Sequence, residues 1–150
     1  MGYLDVADRV WPLTRRLMSG HTAVYKLSGG LIGHRLWPGS PPMLLLDHVG
    51  AKSGKKRTSP LVYFKDGDDV VIVASKGGYP QHPAWFHNLK ANPDTEVRIG
   101  RELRNVRARV ANAEEHKRLW PMAVDTYSGY AGYQERTPRK IPLVVLERRP

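Results

Sequence analysis

The stretch VVIVASKGGYPQHPAWFHNL, residues 70–89, decides the fold because it joins a buried strand to a short helix through a glycine turn. Residues 70–74 form an apolar, mostly β-branched run of strand length, which predicts a buried strand that ends at Ser75. Pro83 then opens a predicted helix over residues 84–90, since proline is tolerated in the first helical turn. The positive end of this helix is therefore expected close to the turn.

The SKGG turn, residues 75–78, has the composition of an anion-binding loop. Gly77 and Gly78 lack Cβ atoms, so the backbone can approach a ligand closely, and backbone N–H groups beside the Lys76 ammonium suit a phosphate. Each of these features is common alone. The turn is therefore interpreted either as a phosphate cradle or as an ordinary tight turn between a strand and a helix.

The composition predicts one ordinary globular unit. The chain has 150 residues, 41% of them hydrophobic and 25% charged, which is enough to bury a core and disfavours disorder. It has no cysteine, which excludes a disulfide framework, a thiolate metal site and a cysteine nucleophile, and is compatible with a reducing cytoplasm. Its six histidines lack HExxH or paired spacing, so no metal site is expected.

The net charge of +10 points to an acidic partner, for which nucleic acid, an anionic membrane and a polyanionic small molecule are the candidates. Residues 1–42 carry five Lys/Arg and two Asp/Glu, and most of the charge belongs to residues 43–150. No apolar run reaches the roughly 20 residues needed to span a bilayer, and the N-terminal segment lacks the apolar region of a signal peptide. We therefore expect a cytoplasmic protein, with a peripheral position at the inner face of the cell membrane as an option.

The N-terminal segment predicts an amphipathic helix followed by a connector. The apolar stripe of the helix consists of Leu4, Ala7, Val10, Trp11, Leu17 and Met18. The helix either packs on its own domain, which is the favoured interpretation, or lies on anionic lipid. Residues 19–42 are rich in glycine and proline and are interpreted as the connector, so residues 1–42 form the N-terminal part and residues 43–150 the main domain.

The rest of the chain reads as six short apolar strands with two helical interruptions. The strand segments are residues 43–49, 58–65, 70–74, 95–99, 103–110 and 141–147. Besides the helix at 84–90, a helix is predicted from Ala113, with Asn112 as its cap and Glu115 at the capping-box position. The helices are too few for parallel crossovers. The fold class is therefore predicted as mainly β (α+β), a split antiparallel β-barrel with an N-terminal helix and short helices between strands.

The turn GAKSGKKR, residues 50–57 and called the basic turn below, is the densest cluster of positive charge. It superficially resembles a phosphate-binding P-loop, but its glycine spacing is one residue short and Lys56 replaces the magnesium-binding Ser/Thr. Nucleotide hydrolysis is therefore rejected. The turn remains either a solvated hairpin tip or a docking place for a multiply charged ligand, with Lys52, Lys55, Lys56 and Arg57 as its cations.

Three tyrosines, Tyr127, Tyr130 and Tyr133, follow one another at three-residue spacing and are called the tyrosine cluster below. On a helix they would share one side and offer ring faces to a flat substrate and hydroxyls for proton transfer. Gly129 and Gly132 indicate a loose element of the kind that a lid requires. Ordinary aromatic packing is the alternative.

Three stretches in order resemble the deazaflavin-dependent nitroreductase family of actinobacteria, whose members use reduced coenzyme F420. They are LLLDHVGAKSGKKRTSPLVYF, VIVASKGGYPQHPAWFHNLKANPDTEVRI and WPMAVDTYSGYAGYQERTPRKIPLVVLE, so the resemblance covers the chain from Leu44 onward. It implies a split β-barrel related to the pyridoxamine-phosphate-oxidase group and hydride transfer from the deazaflavin to quinones or nitro compounds. The cofactor carries a phosphate and an oligoglutamate tail, which fits a phosphate cradle beside a basic turn.

The resemblance implies a set of cofactor contacts. They are Lys52 and Arg57 for the tail, Pro60 in the RxxP stretch, Ala74, Ser75, Lys76, Gly77 and Gly78 for the phosphate and ring, and Pro83, Trp85, Asn88 and Leu89 in the helix that walls the site. Ser59 stands in the RxxP stretch where the family often has Asn. Phe86 and His87 stand where relatives often carry Tyr and Leu, and the N-terminal segment varies too much in the family for its features to be carried over. These last two departures bear on substrate preference and leave the reaction class intact.

The acceptor is expected to stack over the deazaflavin ring, with the tyrosine cluster as its outer wall. Tyr130 is predicted to be the main substrate contact, Ser75 the hydrogen-bond donor to the reduced acceptor, and Tyr133 an alternative source of the proton. Two rival classes remain, an FMN-binding split-barrel oxidoreductase and a basic nucleic-acid-binding barrel. Nucleic acid is disfavoured because the aromatic residues do not alternate with Lys/Arg along a strand.

Overall fold

Six antiparallel strands close into a barrel in the computed structural model, which describes residues 16–28, 33–35 and 39–150. The strands are β1 (Met43–Val49), β2 (Lys56–Asp66), β3 (Asp69–Val73), β4 (Asp94–Ile99), β5 (Glu102–Val110) and β6 (Leu143–Arg148). They follow the order β1-β2-β3-β6-β5-β4 around the barrel, with β4 pairing back to β1. The predicted mainly-β antiparallel barrel is confirmed, and all six predicted strands are present with ends shifted by at most a few residues.

The helices lie where the chain leaves the barrel. Residues 16–27 are helical (α1), and the later helices are α2 (Ala84–Ala91), α3 (Ala113–Thr126) and α4 (Gly129–Arg136). The capping box at the start of α3 is confirmed: the Asn112 side chain accepts from the Glu115 backbone N–H over 2.9 Å, and the Glu115 carboxylate accepts from the Asn112 N–H. Pro83 is the N-cap of α2 in an extended conformation, and the helix starts at Ala84 as predicted.

Strand β3 is buried on both faces, which explains its unbroken apolar run. Val70 and Ile72 point into the barrel interior, while Val71 and Val73 point outward into a second apolar cluster. α3 and α4 supply the other side of that outer cluster, and Trp85, Phe86 and Leu89 of α2 join the interior one. The barrel therefore has a packed core on each side of β3.

Residues 19–27 are helical, so the prediction of a connector starting at Ser19 is wrong there. The reason is Tyr25, which is fully buried, donates from its hydroxyl to the Met43 carbonyl over 3.1 Å and accepts from the Gly100 N–H over 2.8 Å. These contacts outweigh the cost of about 1 kcal/mol for Gly20 inside a helix. This helical segment packs on the barrel, whereas residues 4–15 of the predicted stripe lie outside the described residues. The division at residue 42 stays a prediction.

Pro60 lies in β2 opposite Leu45 of β1. The pairing of β2 with β3 begins only at Tyr63, so Pro60 occupies a part of the strand with one paired neighbour. Proline has no N–H to donate, and such an edge position is where a strand tolerates it. The predicted edge character of this position is confirmed.

Candidate active site

The SKGG turn is a tight 3-10 turn in which three consecutive residues have positive φ. The φ angles are 45° at Lys76, 62° at Gly77 and 83° at Gly78. Glycine adopts this region freely, whereas a lysine there is strained. The Gly78 N–H donates to the Ser75 carbonyl over 3.0 Å, and the Tyr79 N–H to the Lys76 carbonyl over 3.2 Å. The turn itself therefore uses the Gly78 N–H, one of the groups that the sequence suggested for an anion.

Helix α4 packs directly on this turn at Gly78. A Cβ atom at Gly78 would lie 2.8 Å from the Tyr133 carbonyl oxygen and 3.3 Å from Cβ of Arg136. Such a contact is too close for any other residue, so glycine is needed here both for its φ and for the approach of the helix. The contact brings the SKGG turn and the tyrosine cluster together, as the predicted site requires.

The tyrosine cluster is a packed group of rings, not an exposed row. The ring of Tyr130 lies edge-on to that of Tyr127 with centroids 5.0 Å apart, and the hydroxyls of Tyr127 and Tyr133 are 3.1 Å apart. Tyr130 is only 5% exposed, and burial, followed by the neighbouring tyrosines, raises the pKa of its hydroxyl. Tyr127 is 37% exposed. The accessible hydroxyls are therefore those of Tyr127 and Tyr133, and the role of Tyr130 as the main substrate contact stays a prediction.

Ser75 and Lys76 present the polar groups of the turn. The Ser75 hydroxyl makes no hydrogen bond to any residue in the described ranges, whereas its carbonyl accepts from Arg139 Nη2 over 2.8 Å. The Lys76 ammonium lies 5.5 Å from the centroid of the Tyr79 ring. Ala74 is fully buried, and its N–H donates to the Pro142 carbonyl over 3.0 Å. Ser75 and Lys76 are thus the groups best placed to meet a ligand.

Arg139 is the residue of this region that the sequence did not single out. Its guanidinium donates to the carbonyls of Ala74, Ser75 and Tyr79 and to Nδ1 of His82, over 2.8 to 3.2 Å. In the stretch RTPRK, residues 136–140, no feature of the sequence distinguishes Arg139 from Arg136 and Lys140, which are exposed. Only the fold identifies Arg139 as the half-buried member of this basic run.

The basic turn carries positive charge that the fold leaves largely unneutralised. The Lys56 ammonium lies 3.5 Å from an Asp47 carboxylate oxygen. Within the described part of the chain, Lys52, Lys55 and Arg57 form no ion pair with a carboxylate, and all three are exposed. Arg57, the last residue of the basic turn, already belongs to β2 and pairs with His48 of β1. Lys52, Lys55 and Arg57 are available for an anionic ligand.

Asn88 of α2 holds the basic turn through both atoms of its amide. Its Oδ1 accepts from the Ala51 N–H over 2.9 Å, and its Nδ2 donates to Nδ1 of His48 over 2.9 Å. The other ring nitrogen of His48 lies 2.8 Å from the Ser59 hydroxyl. Burial, followed by the positive charge of Arg57, lowers the pKa of His48. His48 is a second residue that sequence reasoning missed.

Helix α2 joins the two regions. Its start is tied to the SKGG turn through His82 and Arg139, and its last turn is tied to the basic turn through Asn88. Eight helical residues span about 12 Å. Trp85 and Leu89 pack in the barrel core and anchor this helix, and their role as cofactor contacts in the helix that walls the site stays a prediction. The spacing of the two candidate anion sites is therefore fixed by a rigid element.

Two cavities lie elsewhere on the protein. One of about 410 Å³ is bounded by His34, Arg35, Tyr63, Lys65 and Thr126, and one of about 240 Å³ by Phe86, Leu89, Ala108 and Val144. Neither is lined by the SKGG turn, so the candidate site rests on the chemistry of its residues and not on cavity size. Among the described residues, no group of three or more His, Asp or Glu side chains has the arrangement of a metal site.

An antiparallel barrel whose SKGG turn lies against the tyrosine-bearing helix α4 fits the class of split-barrel oxidoreductases that the sequence resemblance implied. Residues 17–148 match the model of the F420H(2)-dependent quinone reductase family, and the chain belongs to that family. The expected class of enzyme is thereby confirmed, an oxidoreductase with F420H2 as hydride donor and a quinone as acceptor. Of the three interpretations of the barrel, the F420 enzyme is the one supported.

The chain is similar to proteins of the same kind over most of its length. It is 47% identical over 137 residues to an F420H(2)-dependent quinone reductase of Mycobacterium tuberculosis strain H37Rv, covering 89% of this chain and 91% of the relative. A solved F420-H2 dependent reductase is 43% identical with a TM-score of 0.66, covering 71% of this chain and 94% of that one. A solved structure described as a domain-swapped dimer is 37% identical with a TM-score of 0.68, covering 94% and 98%.

Proposed function

We propose that this chain transfers a hydride from F420H2 to a menaquinone-like quinone held between the SKGG turn and the tyrosine cluster. The observation that carries the proposal is the contact of Gly78 with the Tyr133 backbone, which places the SKGG turn against α4, the helix that carries Tyr130 and Tyr133. Bound there, F420H2 would supply the hydride. The protein would hold the acceptor about 3 to 3.5 Å from the donor carbon and exclude water from the gap.

The charges of the described residues fit such a cofactor. The Lys76 ammonium stands at the SKGG turn, where a phosphate would bind, and Lys52 and Arg57 stand at the far end of α2, where a polyanionic tail would lie. Each exposed cation contributes roughly 0.2–1 kcal/mol in a single pair. Several directed at one multiply charged ligand add up to useful affinity, which supports F420 over an uncharged cofactor.

The hydroxyl groups of Ser75, Tyr133 and Tyr127 would donate the hydrogen bond and the proton that the reaction needs. Adding a hydride to a quinone leaves an anionic oxygen, to which the Ser75 hydroxyl can donate a hydrogen bond because it has no partner among the described residues. The Tyr133 hydroxyl can supply the proton and recover one through Tyr127, whose hydroxyl lies 3.1 Å away and reaches solvent. Burial raises the pKa of the Tyr130 hydroxyl, so this group stays protonated.

Binding and turnover with purified protein test the proposal. We expect saturable F420 binding that weakens with salt, and oxidation of F420H2 on addition of a short-chain menaquinone analogue. FMN and NADPH serve as matched controls and should not replace F420H2. Tight binding of single-stranded DNA without F420 binding, or aerobic turnover with bound FMN, would overturn the proposal in favour of one of the rival classes.

Nitro compounds form a second acceptor class that we propose for the same site. A nitroaromatic or nitroimidazole is flat and becomes anionic on hydride addition, so the Ser75 and Tyr133 hydroxyls would serve it in the same way. A steady-state screen with F420H2 at fixed concentration compares kcat/KM for both classes. Turnover of quinones alone would restrict the site to quinones.

We further propose that α1 brings the protein to an anionic membrane surface, where lipid-soluble quinones reside. Leu17, Val24 and Leu27 are 66%, 46% and 89% exposed on this helix. No helix in the described ranges is long and apolar enough to cross a membrane. Exposed apolar side chains on a basic chain suit a position in the lipid interface.

Co-sedimentation with anionic liposomes tests this position on the full chain, because the buried Tyr25 makes removal of the N-terminal part unsafe for folding. The triple serine variant of Leu17, Val24 and Leu27 should lose binding. Leu103→Ser, at a position 55% exposed on β5, is the matched control and should retain it. Equal binding by wild type and the triple variant would remove the proposal.

A further inference from the structure

The Arg139 side chain donates hydrogen bonds to three backbone carbonyls around the SKGG turn. Nη2 donates to the Ser75 carbonyl over 2.8 Å and Nη1 to the Ala74 carbonyl over 3.2 Å, so two consecutive carbonyls at the end of β3 face this guanidinium. Nε donates to the Tyr79 carbonyl over 2.9 Å, on the far side of the turn. The guanidinium therefore connects the residues that enter the turn with the residue that leaves it.

The same guanidinium reaches the start of α2. Nη1 lies 3.0 Å from Nδ1 of His82, directly before the Pro83 cap. An arginine N–H can only donate, so Nδ1 of His82 is the acceptor. Burial, followed by the charge of Arg139, lowers the pKa of His82, in accord with a neutral imidazole here. Turn and helix are thus fixed relative to each other by one planar group.

The backbone of Arg139 is itself anchored to α4. Gln134 Nε2 donates to the Arg139 carbonyl over 2.8 Å, and Gln134 Oε1 accepts from the Ile141 N–H over 2.9 Å. Gln134 directly follows Tyr133 in the helix that rests on Gly78. Arg139 therefore sits where the SKGG turn, α2 and the tyrosine-bearing helix meet.

The charge of Arg139 has no carboxylate partner within the described residues. Its hydrogen-bond partners are three carbonyls and a neutral imidazole, and burial lowers its pKa. A half-buried cation without a counter-ion raises the electrostatic potential of the turn in front of it. A phosphate bound at the turn would benefit from this charge in addition to that of Lys76.

We propose that Arg139 is a positioning residue for the cofactor: it holds the SKGG turn in its strained conformation and so sets Ser75 and Lys76 for ligand binding. This inference rests on the proposed placement of the F420 phosphate at that turn. The strain at Lys76, whose φ is 45°, needs such external support. A lysine cannot take over the role, because a single ammonium lacks the planar fork that reaches four acceptors in two directions.

The test measures F420 binding and menaquinone-analogue turnover for wild type, Arg139→Ala, Arg139→Lys and the control Arg101→Ala, which removes an exposed arginine from the β4–β5 turn. We expect both Arg139 variants to raise the F420 Kd about tenfold or more and the control to match wild type. Methylguanidinium added to Arg139→Ala should restore binding, whereas methylammonium at the same concentration should not.

Wild-type affinity in Arg139→Ala, or full restoration by lysine or methylammonium, would overturn the inference and leave the proposed function standing. Absence of F420 binding by wild type would overturn the proposed function itself. Should Arg139→Ala fail to fold, the Nε–H signal of Arg139 in the NMR spectrum of wild type, assigned with Arg139→Lys, decides. It should be protected from exchange and shift when F420 binds, and a signal that exchanges freely and does not shift would overturn the inference.

Discussion

Asn88 donates a hydrogen bond from Nδ2 to Nδ1 of His48 over 2.9 Å, and both side chains are buried. The Ala51 N–H can only donate, so it fixes the amide oxygen of Asn88 toward the basic turn and the amide nitrogen toward His48. Nδ1 of His48 must then accept, and its proton sits on Nε2 and donates to the Ser59 hydroxyl over 2.8 Å. The structure thereby specifies the tautomer of a neutral histidine beneath the basic turn.

Replacing Asn88 by alanine should destabilise the protein and weaken F420 binding together. The change leaves the Ala51 N–H and His48 Nδ1 without their partner, and a buried unsatisfied group costs roughly 1–3 kcal/mol. Denaturant unfolding gives the loss of stability, and titration gives the Kd. Asn105→Ala, at an exposed position on β5, is the matched control. Unchanged F420 affinity in a destabilised Asn88→Ala protein would show that the basic turn is not part of the site.

The free energy of unfolding should fall as the pH is lowered below about 6.5. The pKa of His48 is lowered in the folded protein, chiefly by burial, so between its folded pKa and its unfolded pKa the unfolded chain binds the extra proton. Stability from this group is complete above the unfolded pKa and is lost as the pH falls toward the folded pKa. His34 and His82 have lowered pKa values and act in the same direction.

Urea unfolding at several pH values measures this slope in wild type and in His48→Gln. The variant should be less stable near neutral pH and lose less stability on acidification. His87→Gln removes an exposed histidine from the same helix as Asn88 and serves as the control. An unchanged slope in His48→Gln would contradict a neutral, buried His48.

Substituting alanine for Gly78 should damage stability and turnover. The backbone there has a φ of 83°, and the added Cβ would lie 2.8 Å from the Tyr133 carbonyl, a backbone atom that cannot rotate away. Left-handed strain costs roughly 1–3 kcal/mol, and the displaced α4 should lower quinone turnover as well. Gly67→Ala separates the two effects, because Gly67 has a φ of 61° and open space around its Cβ position. Equal losses in both variants would mean that the approach of α4 is unimportant.

The double variant Lys52→Ala/Arg57→Ala should bind F420 more weakly, with a smaller dependence on salt, and keep its stability. Exposed cations without carboxylate partners add little to folding but attract a polyanionic tail. Arg101→Ala/Lys117→Ala removes the same charge from exposed positions elsewhere and should bind F420 like wild type. Normal F420 affinity in the first variant across a range of salt would place the tail away from the basic turn.

The fold could be predicted from the sequence because the apolar pattern of its strands indicates which of their residues are buried. The unbroken apolar run of β3 reflects two covered faces, and Asn112 with Glu115 marks the start of α3 by a local capping interaction. The connector prediction failed for residues 19–27 because the force that keeps them helical, the burial of Tyr25 against Met43 and Gly100, acts over long sequence separations. The local composition of a segment does not predict a contact with residues far away in the chain.

The candidate site was accessible only in part for the same reason. The cations and hydroxyls of the SKGG turn and the tyrosine cluster stand out in local patterns. His48 and Arg139 do not, since their partners lie 40 and about 60 residues away in the chain. The burial of Tyr130, which follows from packing of α4 on α3, is likewise a property of the fold.

Removing one hydroxyl at a time should separate the roles of the three hydroxyl-bearing candidates. Tyr133→Phe should keep F420 affinity and lower kcat for the quinone, within the roughly 100- to 10,000-fold typical of a lost general acid. Ser75→Ala should lower kcat less, because it removes a hydrogen bond and not a proton source. Tyr127→Phe breaks the 3.1 Å link to Tyr133 and should lower kcat mainly when proton delivery limits the rate.

Tyr130→Phe tests the sequence-based prediction that Tyr130 is the main substrate contact against the buried position of Tyr130 in the structure. If Tyr130 is the main substrate contact, its loss should lower quinone turnover more than Tyr133→Phe does, with F420 binding retained. The buried position of its hydroxyl, 5% exposed as a residue, favours the opposite order. Steady-state kcat and KM with F420H2 and a menaquinone analogue give the ranking, because a stacking contact acts on KM and a proton donor on kcat. Wild-type turnover in all four variants would place the acceptor against other residues altogether.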